Sequence, residues 1–540
     1  MTQKQKEPVR HPRPQRERFV EPRRLLLLLL LIAGALLTAV AGCAPALTDP
    51  PRLATATARA QMAPTPTPSV VVLPAPTPTG EPFAVPEIAP SQDSNPTVTL
   101  WVNRTAPQYQ AALETMIENF SRNHPINVEL MAVAPDLLPG LIETASLSST
   151  FPLPDVVLLP LEYTIGWSER GILDVAAADA IVEELGPDTF NEDALDLVTV
   201  DGRAAAIPSD GWQQLLIYRS DWFAEQELAP PDSFEKMLTA AEAIHDPDNL
   251  IYSVNLPTES SLYATSHRFE QLAIANGCQI INEQGELQIL EPACQEALEF
   301  YRFFCNTYCP PGVQTEVSAL NSYLSGRSGL ILASPAALPA IAGLDESYAP
   351  TCAECEQEGF LAENTGFVTT ITGSGPQAAP QNFGQITYLG ITSAADQEAT
   401  EEFVRYWFNE GYLEWLAVEP AQKVPMRLGT REEPRRFIDA WHELPLTAGE
   451  RTLDEIFGRP VAEQLAQDLV NTDRWGYKQG AGALMTTLYE DLTISILLQE
   501  LLSGYYDSPR AAIEGYKRLV DLIPDYEFYV DPEAASEASP

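Results

Sequence analysis

Hydrophobic positions along this chain fall into three regimes. An apolar run covers Leu25 through Val40, no period is sustained from about 44 to 96, and from Thr97 onward short apolar runs alternate with segments of helical period. VTLWV (98–102), INVELMAV (126–133) and PDVVLLP (154–160) read as buried strands. Between the first two, PQYQAALETMIENFSRNHP places Tyr109, Leu113, Met116, Ile117 and Phe120 on one helical face. Pro107 stands near the start of that helix and Pro125 beyond its end, as helix boundaries favour. DLLPGLIETASLS predicts the next helix. This β-α-β-α-β order implies a parallel sheet with right-handed crossovers. Ligands of such sheets sit beyond the carboxyl ends of the strands, here Trp101–Asn103 and Leu159–Tyr163.

The first regime is a leader. Lys4, Lys6, Arg10, Arg13, Arg16, Arg18, Arg23 and Arg24 precede the apolar run, and the small residues Ala41 and Gly42 follow it. Basic, then apolar, then small is the order of a secretory signal peptide, and the run is shorter than a spanning helix needs. Val40-Ala41-Gly42-Cys43 resembles the lipobox of bacterial lipoproteins. The resemblance implies cleavage after residue 42 and a lipid on Cys43, which would hold the protein at the extracytoplasmic face of the cell membrane. An anchor that stays uncleaved is the other reading. Residues 43–96 are rich in Pro, Thr and Ala and read as a semi-rigid stalk. Residues 531–540 read as a disordered tail.

Charge narrows the partners. The chain has a net charge of −43, and removing the basic leader makes the remainder more acidic still. Such a body repels phosphate backbones and anionic lipid, so no nucleic-acid partner is expected. About 435 residues are left for the fold, more than one core usually serves, so two lobes are expected.

DGRAAAIPSDGWQQLLIYRSDWFAEQEL (201–228) carries the architectural signal. It resembles the crossing segment of extracellular solute-binding proteins that feed sugars to ABC importers. Asp201-Gly202, Ala204–Pro208, Ser209–Trp212, Leu215–Tyr218 and Asp221–Phe223 fill the places of that pattern, with Arg219 where Asn is common. The resemblance continues through PPDSFEKMLTAAEAI (230–244), with Asp232 or Ser233 as helix cap, and through LSGRSGLILASPAALPAI (324–341). It extends to ITYLGITSAADQEATEEFVRYWF (386–408), with Ser393 as cap, and to KVPMR (423–427). It implies a two-lobed α/β periplasmic-binding fold (type II), with lobes joined by crossing hinge strands. The expected organisation is 97–208 and 327–390 in the first lobe, and 209–326 and 391–530 in the second. The implied partners are a small solute, a mono- or oligosaccharide, and the permease subunits of an ABC transporter, with the protein itself a monomer.

Enzymatic motifs are missing: there is no GxSxG, HExxH, GxxxxGK[ST] or GxGxxG. No histidine pair has metal spacing, and His124, His245 and His442, beside Pro125, Asp246 and Glu443, suit surface positions. No catalytic residue, metal or cofactor is therefore expected. A glycosidase carboxylate pair is the runner-up, although no spacing marks two acids out.

Six cysteines follow Cys43, an even number in an exported chain. Cys278 and Cys294 flank a short hairpin, and Cys305 and Cys309 end a helix one turn apart. The expected pairs are Cys278–Cys294, Cys305–Cys309 and Cys352–Cys355; a four-cysteine zinc site is the alternative. Trp222, Trp407 and Trp415 lie in helical patterns and read as core. The candidate ligand contacts are Trp101, Asn103, Glu162, Tyr163, Ser209, Asp210, Trp212, Ser334, Trp475 and Tyr477. Trp475 and Tyr477 read as exposed within TDRWGYKQGAG, and Trp212 is the preferred aromatic platform for a sugar ring.

Overall fold

The computed structural model describes residues 95–533, apart from Ala448, Glu450, Asn471 and the side chain of Val470. The leader, Cys43, the stalk and the tail beyond Glu533 lie outside the described residues. No helix among the described residues is long and apolar enough to cross a membrane.

The first lobe is built on β1 (Thr97–Val102), β2 (Asn127–Ala132) and β3 (Val156–Pro160), with β1 parallel to both others. The intervening helix Pro107–Asn123 has proline in its first turn and buries Tyr109, Leu113, Met116 and Phe120 on one side. After a two-stranded ribbon of β4 (Thr199–Val200) and β5 (Arg203–Ala204) come β6 (Ile207–Gln213) and, in the other lobe, β7 (Leu215–Arg219). The second lobe adds β8 (Tyr252–Asn255), β9 (Ser328–Ala333) and β10 (Thr365–Val368). The chain then returns through β11 (Gly384–Ile391) and β12 (Val424–Pro425). The larger sheet has the order β12-β6-β11-β3-β1-β2 and the smaller β10-β7-β9-β8.

The crossings between sheets fall at Gln214 and between Val368 and Gly384. This corrects the expected lobe boundaries. Ser328–Ala333 does not return to the first lobe; it pairs antiparallel with β7 and parallel with β8 in the smaller sheet. The first lobe resumes only at Gly384. A fully buried apolar strand carries no mark of which sheet it joins, so the sequence placed it wrongly. The segment after 391 is also not purely second-lobe. Phe403, Trp407 and Trp415 pack with Val98, Leu100 and Leu158 in the first lobe's core. By contrast Leu497 and Leu519 share a core with Leu298 and Tyr301 of the second lobe.

Local signals mostly act as physical chemistry dictates. The Ser233 side chain accepts from the Lys236 amide and caps Phe234–Ile244. Asp396, not Ser393, caps Gln397–Asn409 by accepting from the Ala399 amide. Glycines allow one close approach that matters for the site. A Cβ on Gly166 would lie 2.5 Å from Thr486, and one on Gly482 would lie 2.8 Å from Ile165, so the helices Leu161–Glu169 and Gly482–Glu490 press together there.

Cys278–Cys294 and Cys352–Cys355 are bonded, the first pair closing round the bridge between Ile281 and Leu287. Cys305 and Cys309 are free and buried, which corrects the third expected pair. Cys305 lies in the helix Pro292–Tyr308 and Cys309 is its C-cap, its amide donating to the Cys305 carbonyl, so the two stand one turn apart. Residues at that spacing keep Cβ atoms about 5–6 Å apart, beyond the roughly 3.5–4.5 Å a disulfide requires.

Candidate functional site

A cleft of about 440 Å³ lies between the two sheets. The first lobe lines it from the carboxyl ends and edges of its strands: Asn103 and Arg104 after β1, Trp212 on β6, and Gln385 and Thr387 on β11. The second lobe contributes Tyr263, His267 and Arg268 from the helix Tyr263–Ala275, with Glu316 and Ser334. Glu419 and Gln422 line it as well.

Backbone irregularity positions the β6 wall. Asp210 faces Thr387 while Pro208 faces Tyr388, so Ser209 is an extra residue, a β-bulge. Beyond it Trp212 reaches the cleft, half-buried, with the Arg268 guanidinium 5.9 Å from its ring centre. Tyr263 stands on the facing lobe, edge-on to His267 at 5.1 Å. Burial pushes the Tyr263 hydroxyl up to about 12, so it remains a donor at neutral pH. Aromatic side chains from both lobes therefore border a space supplied with amide, guanidinium and carboxylate groups.

Beneath the lining is a buried charge network that ties the lobes together. The Glu162 carboxylate accepts from His267 Nε2 at 2.7 Å, Arg474 Nη2 at 2.6 Å and Gln385 Nε2 at 2.8 Å. Arg474 also donates from Nε to Glu270 Oε1 at 2.9 Å, and Tyr489 donates to the same carboxylate. Burial alone would push the Glu162 carboxyl up, but the charge of Arg474 and the hydrogen bond from His267 outweigh it and hold it well below the usual range. Burial, reinforced by Arg474, lowers His267, which outweighs the pull of Glu162, so the imidazole is neutral and donates Nε2–H. Thr486 Oγ1, brought in by the glycine-mediated helix contact, donates to the Glu162 carbonyl at 2.6 Å.

Of the ten predicted contacts, Asn103, Trp212 and Ser334 line the cleft. Glu162 lies directly behind it through His267 and Gln385. Ser209 and Asp210 are fully buried: Ser209 Oγ donates to Asp210 Oδ2 at 2.7 Å and Trp415 Nε1 donates to the same oxygen at 2.6 Å. Trp101 packs on Phe151 and Tyr163 stacks on Trp167, both buried away from the lining. Trp475 and Tyr477 are corrected most. Trp475 is 1% exposed and donates Nε1–H to the Cys278 carbonyl, and the Tyr477 hydroxyl donates to the Leu161 carbonyl. Neither lines the cleft. Gly-rich surroundings mark a loop, but here the loop folds its aromatics inward, Trp475 against Phe269 of the second lobe and Tyr477 toward Leu161 of the first.

Tyr263, His267, Arg268, Glu316 and Arg474 were not found from sequence. The helix that carries the first three is buried around its whole girth, including Thr265, Ser266, Glu270 and Gln271. Its polar residues carry no periodic contrast, so nothing separated a site wall from a solvent face.

Comparisons with known proteins agree with this architecture. Residues 89–435 match the family model described as bacterial extracellular solute-binding protein. The chain belongs to the bacterial extracellular solute-binding protein family. YcjN of Escherichia coli (strain K12), named as an ABC transporter periplasmic-binding protein, is 25% identical over 443 residues, covering 80% of this chain and 93% of that one. Among solved structures, the maltose-bound MalE3 of T. maritima superposes with a TM-score of 0.61 at 16% identity over 79% of this chain and all of the other. The GacH receptor of Streptomyces glaucescens, solved unliganded and with acarbose, gives 0.61 at 15% identity over 80% of this chain and all of that one. A sugar transporter structure from Arthrobacter chlorophenolicus with bound laminaribiose gives 0.60 at 16% identity over 79% and 100%. These likenesses show the two-lobed fold; the extracytoplasmic location follows from the family.

Proposed function

We propose that this protein binds a carbohydrate in the cleft between its lobes and delivers it to the permease of an ABC importer, without chemistry of its own. The observation that carries the reading is that Trp212 and Tyr263, from opposite lobes, line one cleft together with hydrogen-bonding groups such as Asn103, Arg104, Gln385 and Glu316. Sugar rings present apolar C–H faces to aromatic planes and hydroxyls to amides, guanidinium groups and carboxylates. The maltose-, acarbose- and laminaribiose-bound relatives support it. Binding closes the lobes about the crossings at Gln214 and 369–383. The protein acts as a monomer held at the extracytoplasmic face by lipid on Cys43. A thermal-shift screen against a sugar panel tests the binding. Ligand at about 100 times its dissociation constant adds roughly 2.7 kcal/mol of stability. Turnover of an oligosaccharide would instead favour a carbohydrate-active enzyme. Fatty-acid labelling tests the anchor: label is expected on the parent and absent from Cys43→Ser, and label persisting on the variant contradicts it.

A further inference from the structure

The cleft does not end at the ion pair between Arg268 and Glu316. On its far side is a second cavity of about 210 Å³, and Arg268, Glu316, Ser334 and Ala336 border both spaces. The second cavity lies past the carboxyl ends of β8 and β9, a parallel pair, where ligands of such sheets collect. Its other walls are largely apolar, Val317, Leu320, Leu332 and Tyr348 among them, with Asp345 the one further acid.

The partition itself is built to admit a ligand. Arg268 is 1% exposed and donates Nη1 to Gln214 and Nη2 to Glu316. Its Nε has no acceptor, so a buried charged donor stands unsatisfied on the border of both cavities. Glu316, by contrast, has a side chain 51% exposed, so its carboxylate stays open to solvent and to a ligand while it holds Arg268. A hydroxyl arriving beside the two groups meets a donor in need of an acceptor and an accessible carboxylate. Together the two spaces stay within the about 300–1,000 Å³ usual for small-molecule sites.

We propose that the cavity beside Tyr348 is a second subsite, and that the ligand is a saccharide of at least two rings. One ring lies between Trp212 and Tyr263, and the next passes the Arg268–Glu316 pair to rest an apolar face on Tyr348, Leu320 and Val317. This rests on the carbohydrate reading above.

The test is calorimetric titration of the purified full chain with glucose, xylose, mannose and galactose and with disaccharides of each in α and β linkage. Val317 is 47% exposed and lines only the second cavity, so Val317→Trp fills its mouth without touching the main cleft. Tyr348→Ala removes the aromatic part of its wall, and Tyr348 likewise lines only the second cavity. The parent is expected to bind one disaccharide at least tenfold more tightly than its monosaccharide. Both variants are expected to reduce that advantage below threefold while leaving the monosaccharide affinity unchanged. Equal binding of one- and two-ring sugars by the parent, or an advantage that survives both substitutions, overturns the second subsite alone. Failure of every sugar to bind overturns the carbohydrate reading and this inference with it.

Discussion

Arg474 Nη2 lies 2.6 Å from Glu162 Oε1, and both side chains are buried. Because the same guanidinium also holds Glu270 at 2.9 Å, one cation balances two buried carboxylates. Glu162 belongs to the helix that follows β3 in the first lobe, and Glu270 to the second lobe's helix Tyr263–Ala275. The pair thus pins the lobes at the floor of the cleft, under His267 and Gln385.

Arg474→Met is therefore expected to cost about 3–5 kcal/mol, because it leaves two buried carboxylates without their countercharge. Urea denaturation of parent and variant measures it. A loss below about 1 kcal/mol would contradict a structural role for the pair.

Stability is expected to fall on acidification in two stages. The His267 imidazole titrates near 6.5 when unfolded and lower when folded, so below about 6.5 the unfolded chain takes up a proton first. The stability that depends on neutral His267 is complete above that pH and declines below it, by at most about 1.4 kcal/mol per pH unit. Glu162, held low, adds a second decline below about 4.3. Denaturation profiles at pH 7.5 to 5 check the first stage: His267→Gln should flatten the slope, and an unchanged slope would assign it to other groups.

The two disulfides are expected to differ in weight. Cys278–Cys294 joins residues 16 apart, for which loop-closure entropy gives about 3 kcal/mol. Cys352–Cys355 joins residues 3 apart and should contribute less. Paired serine substitutions with melting curves rank them, and non-reducing peptide mapping should recover free thiols at Cys305 and Cys309. A disulfide between those two would contradict the helical spacing.

The fold was more legible than the site, and the reason is physical. Strands such as Val156–Pro160 and helices such as Pro107–Asn123 announce themselves by burial period, and the crossing near Trp212 by its order of small, polar and aromatic residues. Period does not say which sheet a strand such as Ser328–Ala333 will join. The site depends on partners far apart in sequence: Glu162 meets Arg474 across 312 positions. An unaligned sequence offers no signal for such a meeting. Trp475 shows the converse error, since a polar, glycine-rich context made a core residue look like a contact.

The most direct measurement of the central claim is calorimetric titration of Trp212→Ala with a sugar that stabilises the parent in the thermal-shift screen. Trp212 is half-buried on the cleft wall, so its truncation should leave the fold intact. A buried aromatic anchor is worth at least about 2 kcal/mol, which predicts a roughly 30-fold loss of affinity. A folded variant that binds within threefold of the parent would contradict the claim that this cleft holds the sugar.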